Sequence, residues 1–124
     1  MKRLLFTATL LALATPAFAD GDPAKGEKVF RKCQACHAVG EGATNKVGPE
    51  LNGIVGRAAG ALEDFKYSSA MEEAAAGGLV WTPEHIAEFL EKPRDFVKGT
   101  KMTFAGLRKE EERADVVAYL ATFE

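Results

Sequence analysis

Apolar residues recur at helical spacing in separate stretches of the chain and lose that spacing between them. Gly26, Val29, Phe30 and Cys33 fall at i, i+3, i+4 and i+7, one face of a helix that carries Cys33 to the apolar side. Asp22-Pro23 opens this helix: aspartate caps its first N–H groups, and proline suits the first helical position. Gly26 lies within it, where glycine is about 1 kcal/mol less favourable than alanine. It is either a tolerated glycine or a point where another helix comes close. Ser69-x-x-Glu72 reads as the capping box of a short helix that Gly77-Gly78 ends. Thr82-Pro83 opens a third helix with Ile86, Phe89 and Leu90 inward and Pro93 as its boundary. In the last helix, Glu110, Glu111 and Glu112 suit the positive end of the helix dipole. Val116, Val117, Tyr119, Leu120 and Phe123 make its apolar side.

Residues 38–62 are Gly-rich and only weakly periodic. Gly48, Pro49, Gly53, Gly56 and Gly60 break any alternation, which predicts wrapped loops rather than a sheet. The expected fold is all-α: about three main helices, shorter ones, and long loops. Loops this long are uncommon in a compact domain unless they serve a function. Something must fill the middle and give them contacts.

The N-terminus changes the domain count and the compartment. Lys2 and Arg3 precede an apolar run over residues 4–14, and Ala17 and Ala19 flank Phe18. These are the parts of a secretory signal cleaved after Ala19. The run falls short of the roughly 20 apolar residues of a spanning helix, so a retained anchor is the weaker reading. Residues 1–19 are thus expected to be removed, leaving one domain over residues 20–124 exported to the periplasm. Without Lys2 and Arg3, 14 Lys and Arg face 18 Asp and Glu, a net charge near −4. That balance argues against general nucleic-acid binding.

All the chain's cysteine, Cys33 and Cys36, and one of its two histidines, His37, stand within "KCQACHAVG". A disulfide between them would close too small a ring to constrain much of the unfolded chain. A thioredoxin-like CxxC calls for a βαβ context that the pattern does not supply. A structural zinc site needs four ligands, and only distant His85, which reads as a solvated helix histidine, could be added. C-x-x-C-H is the attachment signature of a c-type haem. The two thiols form thioethers with the haem vinyl groups, and His37 is carried beneath the ring, where imidazole ligates iron. One haem c per chain is expected.

The sixth position on the iron then decides function. A filled site favours electron transfer; an open one favours gas binding or peroxide chemistry. Beyond the signal the chain has two methionines. Met71 falls on the short capped helix, where core packing is the ordinary role. Met102 falls in the loop "FVKGTKMTFAGL", far along the chain from His37, and is the better candidate.

With these features in place, most of the chain resembles the class I c-type cytochromes, in particular the small bacterial cytochromes c2. "GDPAKGEKVFRKCQACH" is similar to that family's first helix and attachment site, and "GPELNGIVGR" to its proximal loop. "LVWTPEHIAEFLEKP", "KGTKMTFAGL" and "ADVVAYLATF" resemble its middle helix, methionine loop and last helix. The resemblance implies Met102 as sixth ligand and the Pro49 carbonyl as partner to the free nitrogen of His37. It implies Arg57, Tyr67, Trp81 and Thr100 around the haem propionates, and a crossing of Gly26 and Phe30 with the last helix near Tyr119 and Leu120. Around the exposed haem edge it implies a docking ring of Lys32, Lys46, Arg94, Lys101, Arg108 and Lys109. The implied function is one-electron transfer rather than catalysis, by a monomer without a membrane anchor. The donor would be a cytochrome bc-type complex, and the acceptor a terminal oxidase or photosynthetic reaction centre. Three residues depart from the common pattern: Phe89 in place of a tyrosine, Met71 in place of an asparagine, and Lys98 in place of a proline in the methionine loop.

Overall fold

A computed structural model describes residues 21–124. The signal segment read from the sequence lies outside the described residues. Five helices follow in order: α1 (Pro23–Phe30), α2 (Ser69–Ala76), α3 (Pro83–Glu91), α4 (Pro93–Phe96) and α5 (Glu110–Leu120). Among the described residues there is no strand, only one isolated antiparallel bridge between Ala58 and Val80. None of these helices is long and apolar enough to cross a membrane.

The terminal helices form the main packing unit. α1 lies across α5, and α3 packs against α5 and α4. Phe30, Val116 and Pro93 are the largest fully buried side chains, with Val29, Ile86, Leu90, Leu107, Val117 and Leu120 around them. The Phe30 and Tyr119 rings stand 5.5 Å apart at the crossing. Gly26 permits that approach, since a Cβ built there would strike the Asp115 carbonyl and come within 2.7 Å of the Tyr119 Cβ. The mid-helix glycine is therefore a contact point, on the helix that the sequence indicated.

The helix starts follow their caps, with one correction. The Asp22 side chain accepts from the Ala24 N–H at 2.9 Å, and Thr82 accepts from His85 N–H at 3.1 Å. The cap of α2 is Ser68, not Ser69: its buried hydroxyl accepts from Met71 N–H at 3.1 Å. Ser69 is already helical, so the Ser69–Glu72 capping box does not form. The two serines are adjacent, and the inward-facing one takes the cap.

α1 also stops earlier than its apolar period suggests. Beyond Phe30 the bonds run to the third residue back, Lys32 to Val29 at 3.1 Å and Cys33 to Phe30 at 2.7 Å. The chain thus tightens into turns, yet Cys33 still packs against the core. His37 N–H then returns to the Cys33 carbonyl at 2.9 Å, which closes the segment.

The loops are laced rather than free. Leu51 N–H donates to the Ala38 carbonyl at 3.0 Å, and Gly48 N–H to the Cys36 carbonyl at 2.9 Å. Around the bridge, Trp81 N–H donates to Arg57 at 2.8 Å and Ala59 N–H to Leu79 at 2.9 Å. The loop carrying Met102 leaves α4 at Val97 and is caught again where Leu107 N–H meets the Leu90 carbonyl at 2.7 Å. Arg113 of α5 secures that end, donating to the Leu107 carbonyl at 2.7 Å and the Arg108 carbonyl at 2.9 Å.

Candidate haem site

His37 is held by the loop opposite it. Its Nδ1 lies 2.7 Å from the Pro49 carbonyl oxygen, so Nδ1 carries the proton and donates. In the neutral ring that leaves the lone pair on Nε2, the form in which imidazole ligates a metal. Burial pushes the His37 pKa below its ordinary value, the Pro49 hydrogen bond opposes this, and the charges of Arg57 and Lys46 add to the lowering. Gly48 lies flat against the ring; a Cβ built there would collide with the imidazole. The Pro49 contact and the Gly48 backbone together set the ring's orientation.

The loop bearing Pro49 is braced by three polar side chains. Asn52 clasps Gly40, accepting its N–H at 2.8 Å and donating to its carbonyl at 2.9 Å. Arg57 donates to the carbonyls of Asn52 and Glu50, each at 3.1 Å, and faces the Glu50 carboxylate at 3.5 Å. Glu50 in turn accepts from Asn52 N–H at 2.7 Å. The sequence reading singled out Arg57 but missed Asn45, Glu50 and Asn52. Their signal, a run of polar side chains beside Pro49, is ordinary for a loop.

Cys33 and Cys36 are free thiols one helical turn apart in sequence. Burial pushes the Cys33 thiol up to about 11, a proximity to Lys32 opposing and Cys36 adding a little. Cys33 and Met102 both pack against the same apolar cluster, as do Leu51, Val55, Met71 and Phe104. Met102 N–H is held by the Thr100 hydroxyl at 3.3 Å. The donor set suits haem c: the Cys33 and Cys36 thiols, a neutral imidazole with Nε2 unprotonated, and the Met102 thioether, which packs with Cys33 against one apolar cluster.

The other predicted site residues divide. Trp81 is buried among Phe89 and Phe96, with ring centroids at 5.1 and 6.2 Å, and its backbone joins Arg57. Tyr67 accepts from Leu62 N–H at 3.1 Å and stands edge-on to Phe65 at 4.9 Å. The six cationic residues Lys32, Lys46, Arg94, Lys101, Arg108 and Lys109 are all exposed. Lys32 pairs with Glu112 at 3.6 Å, Lys46 donates to the Gln34 carbonyl at 2.9 Å, and Lys101 to the Lys66 carbonyl at 3.4 Å. His85 Nδ1 donates to the Val80 carbonyl at 2.8 Å, since a carbonyl oxygen only accepts.

Comparison with known proteins identifies the family. The cytochrome c family model matches residues 23–124. Cytochrome c2 of Afifella marina is 57% identical over 101 residues, covering 82% of each chain. Cytochrome c-550 of Ancylobacter novellus is also 57% identical over 101 residues, covering 82% of this chain and 94% of that protein. The solved cytochrome c2 of Rhodospirillum centenum superposes with a TM-score of 0.80 at 47% identity, covering 84% of this chain and 99% of that one. The chain belongs to the cytochrome c family, as a class I c-type cytochrome close to the bacterial cytochromes c2. It is an electron-carrying protein with the class I fold and covalently bound haem c, for which Cys33 and Cys36 stand at the attachment spacing.

Proposed function

We propose that residues 20–124 form an exported, monomeric, periplasmic one-electron carrier, with His37 and Met102 as the axial iron ligands and no enzymatic activity. Haem c bound through Cys33 and Cys36 supplies the Fe(II)/Fe(III) couple. The observation that carries the reading is the His37–Pro49 hydrogen bond at 2.7 Å. It fixes the tautomer and the ring plane and makes Nε2 a better donor.

The remaining residues have supporting work. The Met102 thioether favours the reduced state, and the apolar cluster against which it packs disfavours added charge. Held by both His37 and Met102, the iron would have little to rearrange between its two states. Arg57, Tyr67, Trp81 and Thr100 surround the propionates in this reading; the Arg57–Trp81 backbone link and the Thr100–Met102 bond support their grouping. Lys32, Lys46, Arg94, Lys101, Arg108 and Lys109 form a cationic docking ring on an acidic protein. That asymmetry steers the carrier towards acidic surfaces of membrane redox complexes. A cytochrome bc-type complex would reduce it, and a terminal oxidase or photosynthetic reaction centre would oxidise it.

A redox titration followed by electron-transfer assays with isolated membranes tests the proposal. The expected outcome is a single one-electron wave and turnover with a quinol-oxidising donor. Turnover of peroxide or tight binding of a gas to the iron, without electron exchange with membranes, would contradict it.

A further inference from the structure

Residue 50 stands next to the carbonyl that His37 uses, and every polar group it has is engaged. Its N–H donates to Asn45 Oδ1 at 2.9 Å, and its carbonyl accepts from Arg57 Nη2 at 3.1 Å. Carboxylate Oε2 accepts from Asn52 N–H at 2.7 Å, and Oε1 faces Arg57 Nη1 at 3.5 Å. Asn45 is itself tied to the Asp64 carbonyl at 3.3 Å, and Asn52 to both backbone groups of Gly40. Glu50 thus links both sides of Pro49: its backbone N–H holds Asn45 before it, and its carboxylate holds Asn52 and Arg57 after it. Its side chain and that of Arg57 are only 20% and 14% exposed, so solvent screens the pair weakly.

We infer that Glu50 is a positioning residue for His37. It holds the Pro49 carbonyl on Nδ1 through this brace, and so sets the donor strength of the ring and the redox potential of the protein. The inference rests on the reading of His37 as an axial ligand. Its physical content is a sign. A firm hydrogen bond from Nδ1–H leaves more electron density on Nε2 and favours oxidised iron. Loosening the Pro49 carbonyl reduces that density and favours the reduced state. Losing the Glu50 negative charge acts in the same direction, since the oxidised centre carries the extra positive charge. Both effects raise the potential, but only the first frees the ring proton.

The test uses the haem-loaded protein as wild type, Glu50→Ala, Glu50→Gln and, as a control remote from the brace, Asp22→Ala. Two quantities are read: the midpoint potential, and the exchange rate of the His37 Nδ1 proton by NMR. Glu50→Ala is expected to raise the potential and speed exchange about tenfold or more, as the loss of a charge-assisted hydrogen bond implies. Glu50→Gln keeps an oxygen for Asn52 N–H and loses the charge, so its potential should rise while exchange stays nearer wild type. Asp22→Ala should lower stability and leave both quantities alone. Wild-type exchange in Glu50→Ala would overturn the inference even if the potential rises, since the lost charge alone would then account for the rise. So would an Asp22→Ala variant that speeds exchange as much as Glu50→Ala, since general loosening would then account for it. If Glu50→Ala does not fold, Glu50→Ser is read in its place, and a wild-type exchange rate there overturns the inference. The ligand reading fails separately: the oxidised wild type would then show no paramagnetic shift of the His37 ring.

Discussion

Gly26 of α1 rests against the Asp115 carbonyl of α5, with no room between them for a Cβ. This contact joins the two ends of the domain and seats the segment that bears Cys33, Cys36 and His37. It also gives the first prediction. Alanine is the better helix former by about 1 kcal/mol, so propensity alone favours Gly26→Ala. Overpacking at the crossing opposes it and should win, with a net destabilisation of about 1–3 kcal/mol. Guanidinium unfolding of the haem-loaded protein measures this; a neutral or stabilising outcome would mean that the helices can shift apart freely.

Asp115 has a second role at the same crossing. Its Oδ1 accepts from Asp22 N–H at 2.8 Å, so α5 helps to cap the start of α1. Asp115→Ala should cost about 1 kcal/mol, the usual value of a lost cap, while Asp115→Asn keeps an acceptor and should cost less. Equal losses for the two, in the same unfolding experiment, would show that the charge matters and the hydrogen bond does not.

Phe89 is buried between Trp81 and Phe96, at ring distances of 5.1 and 6.1 Å, in the cluster against which Met102 packs. A tyrosine here would bring a hydroxyl donor into apolar surroundings. Donation towards the Met102 sulfur would draw density from it and favour the reduced state. Phe89→Tyr is therefore expected to raise the midpoint potential, and a potential equal to wild type would count against any coupling of this position to the iron.

The salt bridge between Lys32 and Glu112 is an exposed contact at 3.6 Å, and such pairs hold side chains only weakly. Lys32 therefore stays available to a partner. Raising ionic strength should slow the bimolecular reaction with membrane partners, because the steering field is screened within about 10 Å at 0.1 M salt. A rate that does not change with salt would remove the docking ring from the account.

α1, α3 and α5 were legible from neighbours three or four positions apart, as with Ile86, Phe89 and Leu90, and α2 from its end signals, whereas α4 was not: Pro93, read as a boundary, opens it. The mid-helix Gly26 left two readings open, and its crossing with the last helix followed from family resemblance; the missing room for a Cβ shows the contact. The start of α2 was misplaced by one residue because Ser68 and Ser69 are equivalent caps until burial selects the inner one. The end of α1 was overrun because Cys33 keeps the apolar period while its backbone bonds tighten. The brace at Asn45, Glu50, Asn52 and Arg57 was not legible beyond Arg57. Its bonds join side chains to backbone across turns, and no periodicity records them. The His37–Pro49 contact followed from family resemblance, and the geometry shows it directly.

The central claim is that Met102 completes the iron's ligands, and the absorption spectrum of the oxidised protein tests it most directly. Sulfur ligation gives a weak charge-transfer band in the red. The band is expected in the wild type and in Met71→Ala, and lost in Met102→Ala. A wild-type protein without the band, or a Met102→Ala variant that keeps it, would contradict the account.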